Sequence, residues 1–520
     1  MAYGRITYNG INIDLNKGFN QFQVHKIANS VISRAQSGVS QIVNFYEQEF
    51  LEILINTLDP QLQCELDEFF EYVLSGNTFS LEFNRDMVLY LPFENSINNK
   101  YDGTTGTWTK TAVTDASSYI DSNGLIKFQN TSDTPRFQAG KYGKGLLIEV
   151  ASTNLCTRSE TIGGTGWGSA DATITEDTDE TLDPFGISGT ATKIEATAND
   201  GGVAFSTSTV PGTSDMSFSC WLKGVQDGIT VTMNINSGAF VVTEQKTLTT
   251  EWARYSFNHT STGNRTVAMG IQLTIDNSGD IIYAHAAQAE LKNFATSYIR
   301  ADSGSTVTRN ADVFDGFDVS SIFNPDYGTI SFWVKPLADL DNVGAQETWF
   351  RVDENGTTSR VVQLALQTNG NLVLNFDNSV NTTIAQAFVA ASTYLTQGSW
   401  SHIVITYDNR VDDSVDFYID GTLRVSSTNT SGFNPPAIGN LYIGNRSGSS
   451  EIANIEIDDF FISRDVKDAT WLNNTYNRRN GLGIRRGKWP TIQLSDFANK
   501  PNWIPGDKYN YPLMIEEVIT

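Results

Sequence analysis

Glu456 and Asp458 are two residues apart in an apolar segment, which places both side chains on one face of a predicted strand. Hydrolysis of a glycosidic bond needs two carboxyl groups that flank the bond. On a single strand, the pattern Glu-x-Asp-x-x-Glu would put the second glutamate at position 461, which is Phe461. We therefore interpret the pair as an acidic strand edge and expect no enzyme, unless carboxylates from different strands converge.

Nucleophilic and zinc chemistry also lack a suitable pattern. The histidines are far apart in the sequence: His25, His259, His285 and His402. No Gly-x-Ser-x-Gly segment lies between a strand and a helix, and no group of Cys and His has zinc-ligand spacing. The sequence assigns no catalytic residue and no metal ligand.

Sugar binding would use aromatic rings that are exposed near loops, where they can stack on pyranose rings. Trp167 lies in a glycine-rich segment and Trp349 lies outside the strand pattern, so we predict both as glycan-binding residues. Four other tryptophans fall in alternating segments and are predicted to lie in the cores: Trp221, Trp252, Trp333 and Trp400.

Calcium is the one ion with suitable ligands, because carboxylate oxygens are abundant in the predicted loops. Glu160 and a group around one hairpin tip are the candidates, the latter comprising Asp408, Asp412, Asp413 and Asp416. Solvated loop acids explain the same residues. A structural calcium ion therefore stays open, and we expect no other cofactor.

The chain has 520 residues and a formal net charge of −24, so it exceeds one hydrophobic core and lacks a basic surface. Nucleic acid is not an expected partner, because phosphate binding needs clustered Lys and Arg. No apolar run approaches a span of ~20 residues, so we expect no membrane insertion. The cysteines Cys64, Cys156 and Cys220 are too scattered for a disulfide framework and are expected to be buried thiols.

Alternating apolar and polar residues at 400–407 and 415–425, with Asp420-Gly421 as a turn, predict an antiparallel hairpin. With further alternating segments, residues 303–480 resemble a laminin-G-like (concanavalin A-like) β-sandwich. Segments at 88–94 and 140–149 resemble its opening strands. We therefore place those strands in 87–150 and predict that a second module interrupts the sandwich.

That second module is predicted at 151–302. Its first residues, 153–160 with Trp167, and its last, 287–299, bracket several alternating strands. The whole resembles the carbohydrate-binding-module type of jelly roll found in phage tail and adsorption proteins. The predicted fold class is therefore mostly β: a small α+β N-terminal domain followed by two β-sandwich modules, one inserted in the other.

Residues 1–86 are predicted to form that N-terminal domain, with a hairpin around Asn9-Gly10 and a helix from Asp59 to Gly76. Their strand, helix, strand order resembles the ring-forming domain of phage distal tail proteins. Residues 481–520 break the periodicity and contain four prolines, which predicts an irregular C-terminal tail.

The resemblances imply a bacteriophage virion protein, assembled in the host cytoplasm and placed at the tail tip. Its expected partners are other tail proteins, further copies of itself in a homo-oligomeric ring, and host-surface glycans. The alternative is a decoration or fibre subunit whose sandwiches are purely structural.

Overall fold

A computed structural model describes residues 3–8, 11–14, 19–34, 40–57, 80–84, 87–91, 93, 117–468, 472, 503–504 and 508–516. Within 117–468 the description omits 122, 129–133, 142–143, 212–214, 238–239, 260–265, 342, 358, 378–382, 411–413, 429–436, 447–449 and 465. The chain divides into two compact units, residues 1–87 with 469–520 and residues 88–468.

The N-terminal strands are β1 (Tyr3–Tyr8), β2 (Ile11–Asp14), β3 (Phe19–Arg34), β4 (Ser40–Thr57) and β5 (Ser80–Asn84). Strand β1 pairs antiparallel with both β2 and β5, and β3 pairs antiparallel with β4. Tyr8 lies opposite Ile11, which confirms the hairpin predicted around Asn9-Gly10. The helix predicted from Asp59 to Gly76 lies outside the described residues.

Six short strands follow, and the inserted segment, residues 151–302, begins at the last of them. They are β6 (Met87–Leu91), β7 (Ser118–Ile120), β8 (Ile126–Phe128), β9 (Arg136–Ala139), β10 (Lys144–Ile148) and β11 (Ser152–Asn154).

The inserted segment then forms ten strands. They are β12 (Trp167–Ala170), β13 (Ala172–Thr178), β14 (Ala191–Ala196), β15 (Gly201–Pro211), β16 (Met216–Gly224), β17 (Thr230–Ser237), β18 (Phe240–Thr247), β19 (Ala253–His259), β20 (Thr266–Ile275) and β21 (Ile281–Glu290). Two five-stranded sheets result, in the orders β12-β15-β20-β17-β18 and β13-β14-β21-β16-β19. One apolar cluster includes residues of both sheets, which makes this segment a β-sandwich.

The remaining strands of the larger unit follow the inserted segment, and all of them except the first belong to a larger sandwich. They are β22 (Val307–Arg309), β23 (Phe317–Asp318), β24 (Tyr327–Pro336), β25 (Glu347–Glu354), β26 (Arg360–Leu366), β27 (Asn371–Asp377), β28 (Thr383–Ala390), β29 (Ser401–Asp408), β30 (Ser414–Ile419), β31 (Thr422–Thr428), β32 (Ile438–Ile443) and β33 (Ile455–Ser463).

This larger sandwich has an eight-stranded and a six-stranded sheet. The eight-stranded sheet runs β31-β30-β29-β24-β33-β10-β9, with β6 also paired to β33, and the six-stranded sheet runs β23-β32-β25-β26-β27-β28. A single apolar cluster contains residues of both. The predicted fold class, mostly β with two sandwich modules, is confirmed.

Strands from both sides of the inserted segment lie in one sheet. Leu146 on β10 lies opposite Ile457 on β33, and Leu89 and Leu91 on β6 join the same apolar cluster. The two strands at the ends of the insertion, β11 and β22, pair with each other antiparallel. The larger sandwich therefore needs strands that are separated in the sequence by the whole inserted sandwich.

The hairpin predicted around Asp420-Gly421 is present between β30 and β31. Both residues have positive φ, 52° for Asp420 and 72° for Gly421. Such a pair is the backbone of a two-residue turn that matches the twist of antiparallel strands, and Asp-Gly adopts it at little cost. The local sequence thus sets the pairing next to the turn, where Ile419 lies opposite Thr422.

One short helix, α1 (Ala391–Tyr394), is found among the described residues. No helix in that part of the chain is long and apolar enough to cross a membrane.

The smaller unit also contains β34 (Trp503–Ile504) and β35 (Lys508–Glu516), in the segment predicted to be irregular. Strand β35 pairs antiparallel with β4, from Tyr509 opposite Thr57 to Glu516 opposite Phe50. The four prolines suggested a tail without regular structure. Pro512 nevertheless lies within β35, beside Leu54 on β4.

Candidate ligand-binding cavity between the two sandwiches

Four charged side chains meet where the chain passes from one sandwich to the other. We call this group the junction cluster, and it consists of Arg136, Glu149, Arg309 and Asp312. Arg136 pairs with Asp312 and, at 2.8 Å, with Glu149. Arg309 lies 3.5 Å from Glu149 and 3.6 Å from Asp312. The two positive and two negative charges balance inside the protein.

All four groups of the junction cluster are buried. Burial acts to raise the pKa of Glu149, but the guanidinium groups of Arg309 and Arg136 outweigh it and leave that pKa below its ordinary value. Glu149 also accepts hydrogen bonds from Ser297, 2.7 Å from the backbone nitrogen and 2.6 Å from the hydroxyl. Since Ser297 belongs to the inserted segment, Glu149 joins the two sandwiches directly.

A cavity of about 680 Å³ lies beside this junction. The larger sandwich contributes the following residues among others: Gln138, Leu147, Glu149, Leu337 and Glu456. The inserted sandwich contributes, among others, Trp221, Arg254, Ser256, Phe257, Phe294 and Tyr298. Ligand pockets typically have volumes of roughly 300–1,000 Å³ and mix apolar rings with a few polar groups. The cavity has the size and lining of a ligand site.

Glu456 projects from the outer side of β33, where it accepts hydrogen bonds from Lys335 and Gln138 through Oε1. Its second oxygen, Oε2, is buried and has no hydrogen-bond partner within the described part of the chain. Burial raises the pKa of Glu456 even though the Lys335 ammonium group opposes that rise. Because Oε2 has almost no accessible surface, a ligand in the cavity would not reach it.

The opposite wall of the cavity includes Trp221 and Arg254. The indole Nε1 of Trp221 is buried and unpartnered among the described residues. Arg254 beside it donates to the carbonyl oxygen of Thr296 at 2.5 Å and to the hydroxyl of Ser219 at 2.8 Å. The Nε of Arg254 is likewise buried and unpartnered among the described residues, and its other bonds go to neutral oxygen atoms.

The two predicted glycan-binding tryptophans do not contribute to this cavity. Trp349 is fully buried on β25, and Trp167 is 9 % exposed, with its ring 5.3 Å from Phe205 and its Nε1 donating to the Arg158 carbonyl. The exposure that we expected of both rings is wrong. Trp349 was not recognised as a strand residue because β25 is buried on both faces, so apolar and polar residues do not alternate there.

The predicted core tryptophans divide into two groups. Trp221 and Trp333 are buried, as predicted. Trp252 and Trp400 are half-buried, contrary to the prediction, because each directly precedes its strand instead of lying within it. The ring of Trp333 stacks on His402 at 4.8 Å, which agrees with a structural role for that histidine.

The acidic pair Glu456 and Asp458 does lie on one face of β33, and both side chains are buried. Asp458 accepts a hydrogen bond from the backbone nitrogen of Asp459 at 2.8 Å. Alternation predicted their common face correctly. It did not predict that a second sandwich would help to cover that face, nor that Glu456 would line a cavity.

Two of the residues considered for calcium are engaged by arginines. Glu160 receives two bonds of 2.7 Å from Arg300, and Asp408 two of 3.0 Å from Arg410. Within the described ranges, no three His, Cys, Asp or Glu side chains are grouped as a metal site would require. Asp412 and Asp413 lie outside those ranges.

Cys156 and Cys220 are free, buried thiols, as predicted, and Cys64 lies outside the described residues. Burial raises the pKa of Cys220 to about 12. A thiol protonated at neutral pH is a poor nucleophile, so Cys220 serves as a small apolar side chain.

Comparison with known proteins supports the lectin-type fold. Residues 296–472 match the family described as the concanavalin A-like lectin/glucanases superfamily, so the chain contains a concanavalin A-like domain. No curated protein matches the chain.

Solved structures similar to the chain include botulinum neurotoxin domains. The receptor-binding domain of the C/D mosaic serotype is 17 % identical with a TM-score of 0.26, over 32 % of this chain and 40 % of that chain. The serotype D ligand-binding domain in complex with N-acetylneuraminic acid is 19 % identical with a TM-score of 0.25, over 29 % and 36 %. The type G receptor-binding domain is 17 % identical with a TM-score of 0.24, over 29 % and 38 %. The chain thus covers about two fifths of these toxin domains.

Removing one charge from the junction cluster should destabilise the larger unit strongly. Glu149→Gln leaves two buried arginines with a single carboxylate, and breaking a buried ion pair in this way costs about 3–5 kcal/mol. Urea unfolding would measure the loss. Asp408→Asn, which breaks the exposed pair with Arg410, is the matched control and should change the midpoint little. Equal effects of the two substitutions would show that the junction cluster contributes no more than a surface pair.

Glu347 lies near the same junction, where Asn454 donates to it from its backbone nitrogen at 3.1 Å and its side chain at 2.5 Å. The Asn454 side-chain oxygen in turn accepts from the backbone nitrogen of Val150, next to the insertion. Burial raises the pKa of Glu347 to about 7, against the opposing effect of the Asn454 hydrogen bonds.

The stability of the protein should therefore fall as pH rises through neutrality. The folded pKa of Glu347, about 7, lies above its ordinary value of 4.5, so the folded state binds the extra proton between these pH values. The resulting stabilisation, about 3 kcal/mol, is complete below pH 4.5 and is lost as pH rises through 7. Glu347→Gln cannot titrate, so its urea stability should fall less than that of the natural chain between pH 5 and 8. Parallel pH profiles would contradict the assignment.

Proposed function

We propose that this chain is an adhesion component of a bacteriophage virion, in which residues 88–468 bind host-surface glycans. The chain requires no catalytic chemistry in this role. Residues 1–87 with 469–520 attach it to other proteins at the tail tip, where copies of the chain form a ring.

One observation carries the glycan-binding part of this proposal. The concanavalin A-like domain meets a second sandwich at a cavity that is lined by aromatic rings and polar side chains of both. Sugars combine apolar C–H faces with hydroxyl groups that donate and accept hydrogen bonds, so they suit such a mixed lining. The two sandwich folds are of types that commonly carry sugar sites.

The attachment part rests on the sequence of residues 1–86, which resembles the ring-forming domain of distal tail proteins. The described strands β1, β2 and β5 pair in the order β2-β1-β5. A ring suits this role, because a heterologous interface that closes gives cyclic symmetry. Weak sugar sites repeated around a ring also gain avidity from their high effective concentration.

The glycan-binding part is tested with a glycan array probed with the full chain. We expect selective retention on host-surface polysaccharides, with a low affinity for each single site. An array without any signal, repeated at high protein density, would instead favour the decoration or fibre role, in which the sandwiches are structural.

The attachment part is tested by removing residues 1–86 from the chain in a phage that carries it. The shortened chain should be synthesised but absent from purified particles, as measured by immunoblotting. A chain shortened by removal of residues 151–302 would be a poor control, because it loses Ser297, which donates two hydrogen bonds to Glu149 of the junction cluster. Glu456→Gln in the full chain is the better one and should still enter particles.

A further inference from the structure

We propose that the cavity between the two sandwiches binds a sugar that carries an anionic group, and that the guanidinium group of Arg254 is the counter-charge of that anion. This inference rests on the proposed glycan-binding function. It adds the residue that selects the ligand and the class of glycan, which is one with carboxylate or phosphate groups.

Arg254 lies on β19 of the inserted sandwich, and its side chain lines the cavity. It is partly exposed, whereas Glu456 and Trp221 are buried, so a ligand in the cavity can contact it. Its guanidinium group has five N–H donors, and two of them bind the neutral oxygen atoms of Thr296 and Ser219. Because Nε has almost no accessible surface, the donors left for a ligand are on the two terminal nitrogens.

Every carboxylate that lines the cavity is paired with a cation. The pairs are Glu149 with Arg136, Glu456 with Lys335, and Glu244 with Lys246. Lining carboxylates therefore leave no negative charge unmatched that would repel an anion.

The charge of Arg254 is matched less well. Its described hydrogen bonds all go to neutral acceptors, and it forms no salt bridge with a described residue. Burial lowers the pKa of Arg254 below its ordinary value, and the carboxylates of Glu290 and Glu149 only partly oppose that effect. A carboxylate or phosphate group in the cavity would supply the missing negative charge, and hydrogen bonds between charged partners are stronger than neutral ones.

The cavity is much larger than a simple anion requires. Its volume is about 680 Å³, and four aromatic residues line it beside Arg254: Tyr119, Trp221, Phe294 and Tyr298. Of these, Tyr119 has the most accessible surface and is the candidate for contact with a ligand. A pyranose has apolar C–H faces that pack on such rings, whereas a phosphate ion has none. The lining therefore fits an acidic sugar better than a free inorganic anion.

The formal net charge of the whole chain is −24. Such a surface repels anions on average, so general electrostatic attraction would not retain an acidic sugar. Selective binding of an acidic sugar therefore requires a local positive site, which Arg254 provides.

The test is isothermal titration calorimetry of the full chain with glucose, glucuronic acid and glucose 6-phosphate, and with the corresponding galactose series. Within each series the sugars differ only at carbon 6, which carries a hydroxyl, a carboxylate or a phosphate group. At least one acidic sugar should bind about 10-fold or more tightly than its neutral counterpart, because only the acidic sugar can pair with the guanidinium group. Comparison of glucuronic acid with glucose 6-phosphate, or of the galactose equivalents, identifies the preferred anionic group.

Two substitutions of one exposed residue test the role of Arg254 without altering Arg254 itself. Ser256 lines the cavity two positions after Arg254 on β19, and hence on the same face of the strand. Ser256→Asp places a carboxylate beside the guanidinium group and should abolish the preference for acidic sugars. Ser256→Asn has nearly the same shape without the charge, so it is the matched control and should keep the preference. Thermal melting would verify that both variants are folded.

Arg254→Gln should abolish the same preference, and Arg254→Lys should retain part of it. Where calorimetry detects no monosaccharide but the glycan array shows binding, the array provides the same comparison. Retention of acidic polysaccharides should then be lost in Ser256→Asp and kept in Ser256→Asn.

Failure of this inference can be told apart from failure of the proposed function. If neither the array nor calorimetry detects any glycan, both fail. If neutral glycans bind as tightly as acidic ones, or if folded Ser256→Asp keeps the preference for acidic glycans, glycan binding stands and Arg254 does not select the ligand.

Discussion

The buried junction cluster is the interaction on which the two-sandwich arrangement depends. Removing four charged groups from water is unfavourable, and it is tolerated here because each guanidinium group faces a carboxylate and further hydrogen bonds satisfy the remaining oxygens. Arg136 and Glu149 precede the inserted segment, and Arg309 and Asp312 follow it. The charges balance only when both ends of the insertion meet. The closure of the larger sandwich and the position of the inserted sandwich therefore depend on each other.

This coupling explains why the outer face of the eight-stranded sheet is not an ordinary solvated face. Strands β24 and β33 are buried almost throughout on both sides. Apolar side chains on one side of these strands fill the core of the larger sandwich. Polar and aromatic side chains on the other side are covered in part by the inserted sandwich. The cavity remains where this covering is incomplete. Its lining combines aromatic rings with a few polar groups, a combination typical of ligand sites.

Much of the fold could be predicted because strands leave local signals. The alternating residues and the Asp420-Gly421 turn predicted a hairpin that is present in the structure. The Asn9-Gly10 turn predicted another hairpin near the N-terminus, which is also present. The position of β35 was not predicted, because it depends on pairing with β4, more than 450 positions earlier in the chain. Such a partner leaves no trace in the periodicity of the segment itself.

The sequence by itself determined the sandwich class, the common face of Glu456 and Asp458, and the burial of Trp221 and Trp333. The reason is that these properties follow from the two-residue period of a strand. Only the tertiary structure decided that Trp349 is buried and that Glu456 and Trp221 line one cavity. A strand covered on both faces loses its alternation, and residues of two sandwiches meet only after the chain has folded around its insertion.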